Sequence, residues 1–239
     1  MPFSLALSRR ISTDGLKTVA LAFFCSRFFC SFFVYLGHYY RKTPAFMPGM
    51  WEGVDNGWLN PWTTYDSVYY LTIAKVGYQN FTSPFFPLYP LLLRLGGDSQ
   101  IGMAIVGIVI SNLAFAAALY FLYRLTEMDN GHKAATAAVW LLAFFPTTAF
   151  FSAVYTESTF LLLLLLCFYS ARQHQWMIGG LSGALASLCR NPGVLISDAL
   201  ALEYLRDNEE VVSRIYVGTP VLATRQEYDK ARFQGTLGS

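Results

Sequence analysis

Long apolar stretches separated by short charged links dominate the chain. Five segments approach the roughly 20 mostly apolar residues that a helix needs to span a bilayer. They cover about residues 18–38, 101–123, 134–151, 155–171 and 176–197. No charge falls between Asp98 and Arg124, and Glu157 is the only charge between Lys133 and Arg172. That second stretch is too long for one helix, and Pro146 with Thr147 and Thr148 predicts a break near its middle. The first segment follows Arg9, Arg10 and Lys17, as a secretory signal would. Its length and the absence of a small-residue cleavage site instead predict a retained anchor.

The segment from 39 to 99 has a different texture. It is rich in Trp, Tyr, Phe and Pro, including Trp51, Trp58, Trp62, Tyr65, Tyr69 and Tyr70. Residues 66–76 predict a short helix lying in the interface. Residues 85–95 are apolar but too short and too proline-broken to span, which predicts a re-entrant segment covered by protein. Beyond about residue 203 charges return in number, from Glu203 and Arg206 to Lys230 and Arg232. The predicted organisation is a cytoplasmic stretch 1–17, a transmembrane domain 18–200 with loop 39–99, and a polar tail 201–239. The predicted fold class is all-α and polytopic.

Composition supports a membrane setting. The 239 residues are 54% hydrophobic and 13% charged, against about 25% charged in soluble domains. Aromatic residues reach 17%, as expected where Trp and Tyr line interfaces. The net charge of +2 and the lack of a basic run argue against a nucleic-acid partner. Positive residues before the first span, between the second and third, and between the fourth and fifth put those links in the cytoplasm. Loop 39–99 and the turn near Glu157 then lie on the extracytoplasmic side. The four cysteines match no zinc or redox spacing, and His38, His132 and His174 do not cluster, so no metal site is expected.

Charges inside apolar sequence are costly and are functional candidates by default. Asp66, Glu157 and Arg190 qualify, and the predicted topology gathers all three at the outer face. Asp66, among aromatics at a membrane boundary, is suited to accept a proton from a hydroxyl. Its bland role is an N-cap for 67–76. The bland role of Glu157 is a helix cap or a structural partner of Arg190. Arg190 precedes Asn191-Pro192-Gly193, whose kink exposes backbone groups beside a guanidinium and suits a phosphate. Arg27, near the centre of the first span, needs a partner or an aqueous cavity.

These residues carry a resemblance. Tyr65-Asp66-Ser67-Val68-Tyr69-Tyr70-Leu71-Thr72-Ile73-Ala74 with Gly77-Tyr78 resembles the "WDxxxY…IAxxGY" segment of PIG-V-type mannosyltransferases. These belong to the GT-C membrane glycosyltransferases. Phe85-Phe86-Pro87-Leu88-Tyr89-Pro90 is similar to the "FFPLYP" element that follows there. Phe144 to Pro146 and Ser152 to Ser158 resemble the "FP…FFSAxYTES" segment, and Ala186 to Gly193 the "A…R..G" segment. The matches span roughly residues 18–200.

The resemblance implies a GT-C-type bundle whose long first outer loop contains short interfacial helices. It implies inverting transfer of mannose from a polyprenyl- or dolichyl-phosphate donor to a lipid-linked or glycan acceptor on the extracytoplasmic or luminal face. Asp66 would be the general base, with Tyr65, Arg94, Tyr155, Glu157 and Arg190 binding substrate. Arg190 would stabilise the lipid-phosphate leaving group. Neither metal nor cofactor is implied. The expected location is a multi-pass position in a bacterial cell membrane, or the endoplasmic reticulum membrane in a eukaryote. Two departures stand out. Tyr65 replaces the usual tryptophan, and family members are longer, so the charged tail is expected to be truncated or non-native. The alternative to an enzyme is a truncated, non-catalytic scaffold or partner subunit. A transporter is a third reading, but it predicts related halves, and none is visible.

Overall fold

In the computed structural model, residues 13–40 and 53–207 are described, and every element among them is helical. The chain divides into two compact units, residues 1–200 and 201–239. Most of the predicted tail and most of the predicted cytoplasmic stretch 1–17 lie outside the described residues.

Helix α1 (Thr13–Tyr40) carries two faces. Gly15, Val19, Ala22, Ser26 and Cys30 are buried, while Leu21, Phe24, Phe28 and Phe32 are exposed. Both series follow the three-to-four residue spacing of one helix stripe. Val19 and Ala22 pack against Phe115, Leu119 and Tyr123, together with Ala135, Val139 and Ala143. The alanines let the helix axes approach closely.

The chain then makes a 3-10 turn at Asn60–Trp62, helix α2 (Asp66–Val76) and helix α3 (Leu88–Leu93). The short interfacial helix predicted over 66–76 is therefore present as a helix. Residues 85–95 hold α3 and the 3-10 turn Arg94–Gly96 rather than a span. Helix α4 (Gln100–Ala143) is started by Ser99, whose side chain accepts from the Gly102 amide. It breaks at Gly131, where φ 81° and ψ 175° call for a residue without Cβ.

Helices α5 (Glu157–Arg172) and α6 (Trp176–Ser187) follow, and α7 (Ile196–Asp207) closes the described chain. Helix α4 packs on α1 and α5, and α5 packs on α6.

By length and composition, α1 and α4 are the described helices able to cross a bilayer. The remaining predicted spans are shorter than expected. The third stops as helix at Ala143, because Phe145 and Pro146 turn the chain into the 3-10 segment Thr148–Phe151. Helix α5 has 16 residues, about 24 Å of axis. The fifth is not continuous over 176–197. Arg190 is extended (φ −154°, ψ 152°), and Asn191–Leu195 forms a separate 3-10 turn with Pro192 in its first positions.

Arg27 finds its partners across the bundle. Its guanidinium donates to the Thr148 carbonyl (3.0 Å), the Ser152 hydroxyl (2.7 Å) and the Thr148 hydroxyl. It also lies 4.5 Å from the Phe115 ring centroid. A buried cation is tolerated when its donors are satisfied. Here uncharged oxygens satisfy it, and they pin the 148–152 turn to α1.

Candidate functional site: two acidic helix starts and a guanidinium

Three distant segments meet beside α2. The Val154 amide donates to the Trp62 carbonyl (2.9 Å), and the Tyr155 hydroxyl donates to the Thr64 carbonyl (3.1 Å). The Leu88 amide donates to the Leu188 carbonyl (3.1 Å), joining the end of α6 to the start of α3. The Cys189 thiol reaches the Thr156 carbonyl at 3.8 Å. Residues 62–66, 154–157 and 188–190 are thereby held side by side.

This bracing supports a strained residue. Tyr65 has φ 57° and ψ −124°. Such a conformation costs an aromatic residue on the order of 1–3 kcal/mol and persists where surrounding contacts over-determine it. It turns the chain sharply into α2, so Asp66 is the first helical residue. Asp66 is not the N-cap; Tyr65 holds that position, without a side-chain cap bond. The Asp66 carboxylate is exposed and has no hydrogen-bond partner among the described residues.

A cleft of about 340 Å³ opens here, lined by Tyr65, Asp66, Phe150, Tyr155 and Glu157. Glu157 is the first residue of α5 as Asp66 is of α2. Two helix starts, each carrying a carboxylate, therefore face one space. The amide ends of helices favour negative charge, which offsets part of the repulsion between these carboxylates. Arg190 supplies a full positive charge through an ion pair between its Nη1 and Glu157 Oε1.

Tyr70 sits behind this group. Its hydroxyl meets the Thr156 hydroxyl at 3.4 Å. Burial pushes its hydroxyl up to about 12; the nearby Glu157 and Asp66 carboxylates add to the rise, and Thr156 and Arg190 oppose it. A raised tyrosine pKa means the neutral phenol is the form the fold favours. Stability from this group is full below the ordinary value of 10 and is lost as pH rises towards about 12. Tyr70→Phe should lose less stability than the parent between about pH 10 and 12, measured by thermal unfolding in detergent. Parallel losses would show that Tyr70 is not the titrating group.

The structure thus brings Asp66, Tyr65, Tyr155 and Glu157 to one cleft, with Arg190 on Glu157. Arg94 stands apart. It is exposed, and its Nε donates to the Ala74 carbonyl near the end of α2 (3.0 Å). Ala74 lies eight residues beyond Asp66, about 12 Å along the helix. Arg94 therefore braces the far end of α2 and does not line the cleft.

Phe150 is a lining residue that the sequence pattern did not single out. Its neighbour Phe151 stacks on Phe115 at 4.6 Å, while Phe150 packs against Tyr155 at 5.2 Å. The adjacent pair in a turn between apolar segments was the available signal. Among the described residues no group of three His, Cys, Asp or Glu side chains gathers.

Comparison with known proteins shows the family. The profile of the family described as Mannosyltransferase (PIG-V) matches residues 40–207. The chain is 31% identical over 150 residues to a GPI mannosyltransferase 2 of Drosophila pseudoobscura pseudoobscura, covering 55% of this chain and 32% of that protein. It is 30% identical over 157 residues to a GPI mannosyltransferase 2 of Drosophila melanogaster, covering 58% and 34%. The chain spans about a third of the length of these curated relatives. No solved structure matches it. The family match takes in α2, the 148–157 turn and the Arg190 break, and on that match the chain belongs to the PIG-V mannosyltransferase family.

Proposed function

We propose that this chain acts as a GT-C-type membrane mannosyltransferase. Mannose moves from a polyprenyl- or dolichyl-phosphate donor to a hydroxyl of a lipid-linked or glycan acceptor, on the extracytoplasmic or luminal face. The observation that carries this reading is the cleft where the free Asp66 carboxylate lies beside the Glu157–Arg190 pair. The names of the two relatives point to a GPI glycolipid as acceptor. Both come from flies, which favours the endoplasmic reticulum over a bacterial membrane. The exposed apolar stripe of α1 suits a face that meets lipid.

In this reading Asp66 accepts the acceptor hydroxyl proton as its oxygen attacks the anomeric carbon. The bond from that carbon to the phosphate oxygen breaks in the same displacement. The phosphodiester donor leaves as a lipid phosphate monoester and gains one negative charge. Arg190 stabilises that developing charge. Tyr65, Phe150 and Tyr155 provide an aromatic wall for the sugar ring, and Arg94 acts at a distance by fixing α2.

A single displacement inverts the anomeric centre. The mannosyl product should carry the anomeric configuration opposite to that of the donor, read by nuclear magnetic resonance. Retention would overturn the single-displacement mechanism.

A further inference from the structure

The Glu157–Arg190 pair is incomplete as a structural bridge. Arginine–carboxylate pairs are frequently two-pronged, with both oxygens engaged. Here one guanidinium nitrogen, Nη1, meets one oxygen, Oε1. Glu157 Oε2 is buried without a hydrogen-bond partner among the described residues. That contact is the one hydrogen bond the Arg190 side chain makes among the described residues. An arginine carries five N–H donors, so most of this fork has no acceptor among the described residues.

Position adds to the chemistry. Glu157 lines the cleft, and the two side chains, Arg190 and Glu157, keep 39% and 27% of their surface exposed. Arg190 is extended immediately after α6, anchored through the Arg190 amide to the Ala186 carbonyl (3.1 Å) and the Gly193 amide to its own carbonyl (2.9 Å). The backbone is fixed, while the fork is held at one nitrogen. Glu157 begins a helix whose free amides also favour an anion.

We propose that Glu157 holds the place on Arg190 that a ligand's phosphoryl oxygens take, so that Glu157 and the phosphate compete for one guanidinium. This rests on the function proposed above and extends it. Phosphate entry draws the guanidinium away from Glu157. The released carboxylate then has both oxygens available for hydroxyls in the cleft. Glu157 is a positioning residue: it parks Arg190 until a phosphate arrives and limits phosphate affinity, so that spent lipid phosphate is released.

The test is binding of farnesyl phosphate to the full chain in detergent, with inorganic phosphate and farnesol as companion probes. Glu157→Gln removes the competing charge and keeps the shape. Farnesyl phosphate should bind about fivefold more tightly, the scale of one partly exposed ion pair, while farnesol binding stays the same. Glu157→Ala should tighten it too, and thermal unfolding identifies whichever variant is folded. Equal tightening of inorganic phosphate assigns the effect to the phosphoryl group alone. Tightening confined to farnesyl phosphate adds the lipid chain. Both support competition. Unchanged or weaker farnesyl phosphate binding would show that Glu157 merely braces Arg190, and the proposal falls while the proposed function stands. Equal tightening of farnesol would sink it as well. If the parent binds no phosphate and Arg190→Lys changes nothing, the phosphate role of Arg190 falls too.

Discussion

Asp66→Asn is expected to lower mannosyl transfer in membranes by a factor on the order of 10²–10⁴, the contribution of a positioned general base. The substitution keeps the shape of the side chain and removes the ability to hold a proton. The Asp66 carboxylate is exposed and makes no hydrogen bond among the described residues, so little structure depends on its charge. The structural loss is confined to one favourable charge at the start of α2, about 0.3–1 kcal/mol. Folding and membrane insertion should therefore persist while transfer stops. The measurement is radiolabelled mannose moved from a polyprenyl-phosphate donor, alongside thermal unfolding of the same preparation. A folded variant with the parent's rate would remove Asp66 from the chemistry.

Gly193→Ala should destabilise the fold strongly and disturb the site from outside it. A Cβ on Gly193 would collide with the backbone of Ala186 and Ser187 at the end of α6. Backbone cannot rotate aside as a flexible side chain would. Overpacking costs typically about 1–3 kcal/mol, and the rigid obstacle puts this case at the upper end. The Gly193 amide also donates to the Arg190 carbonyl (2.9 Å), so relief of the clash moves Arg190. Gly180, within α6, provides the control. A Cβ there would meet nothing within 4 Å, so Gly180→Ala should be neutral or gain up to about 1 kcal/mol from helix propensity. Thermal unfolding of both variants in detergent decides the matter. Equal midpoints would mean that the Asn191–Leu195 turn does not pack closely on α6.

The two variants separate chemistry from scaffold. Asp66→Asn should leave the unfolding midpoint nearly unchanged and abolish turnover. Gly193→Ala should lower the midpoint and weaken phosphate binding through Arg190.

Local sequence determined the helical character, the breaks at Pro146 and around Pro192, and the short helix after Tyr65. Apolar periodicity and proline act over a few residues, so these features are legible without partners. The three isolated charges were legible for a related reason: a charge in apolar sequence is an anomaly wherever the chain folds. Other features were decided by tertiary structure alone. Arg27 announced the need for a partner, but its satisfaction by Thr148 and Ser152 joins residues more than 120 positions apart. The separation of Arg94 from the cleft, the entry of Phe150 into it and the one-pronged Glu157–Arg190 contact depend on the angles at which α2 and α5 begin and α6 ends. Those angles come from contacts distant in sequence, and no local pattern encodes them.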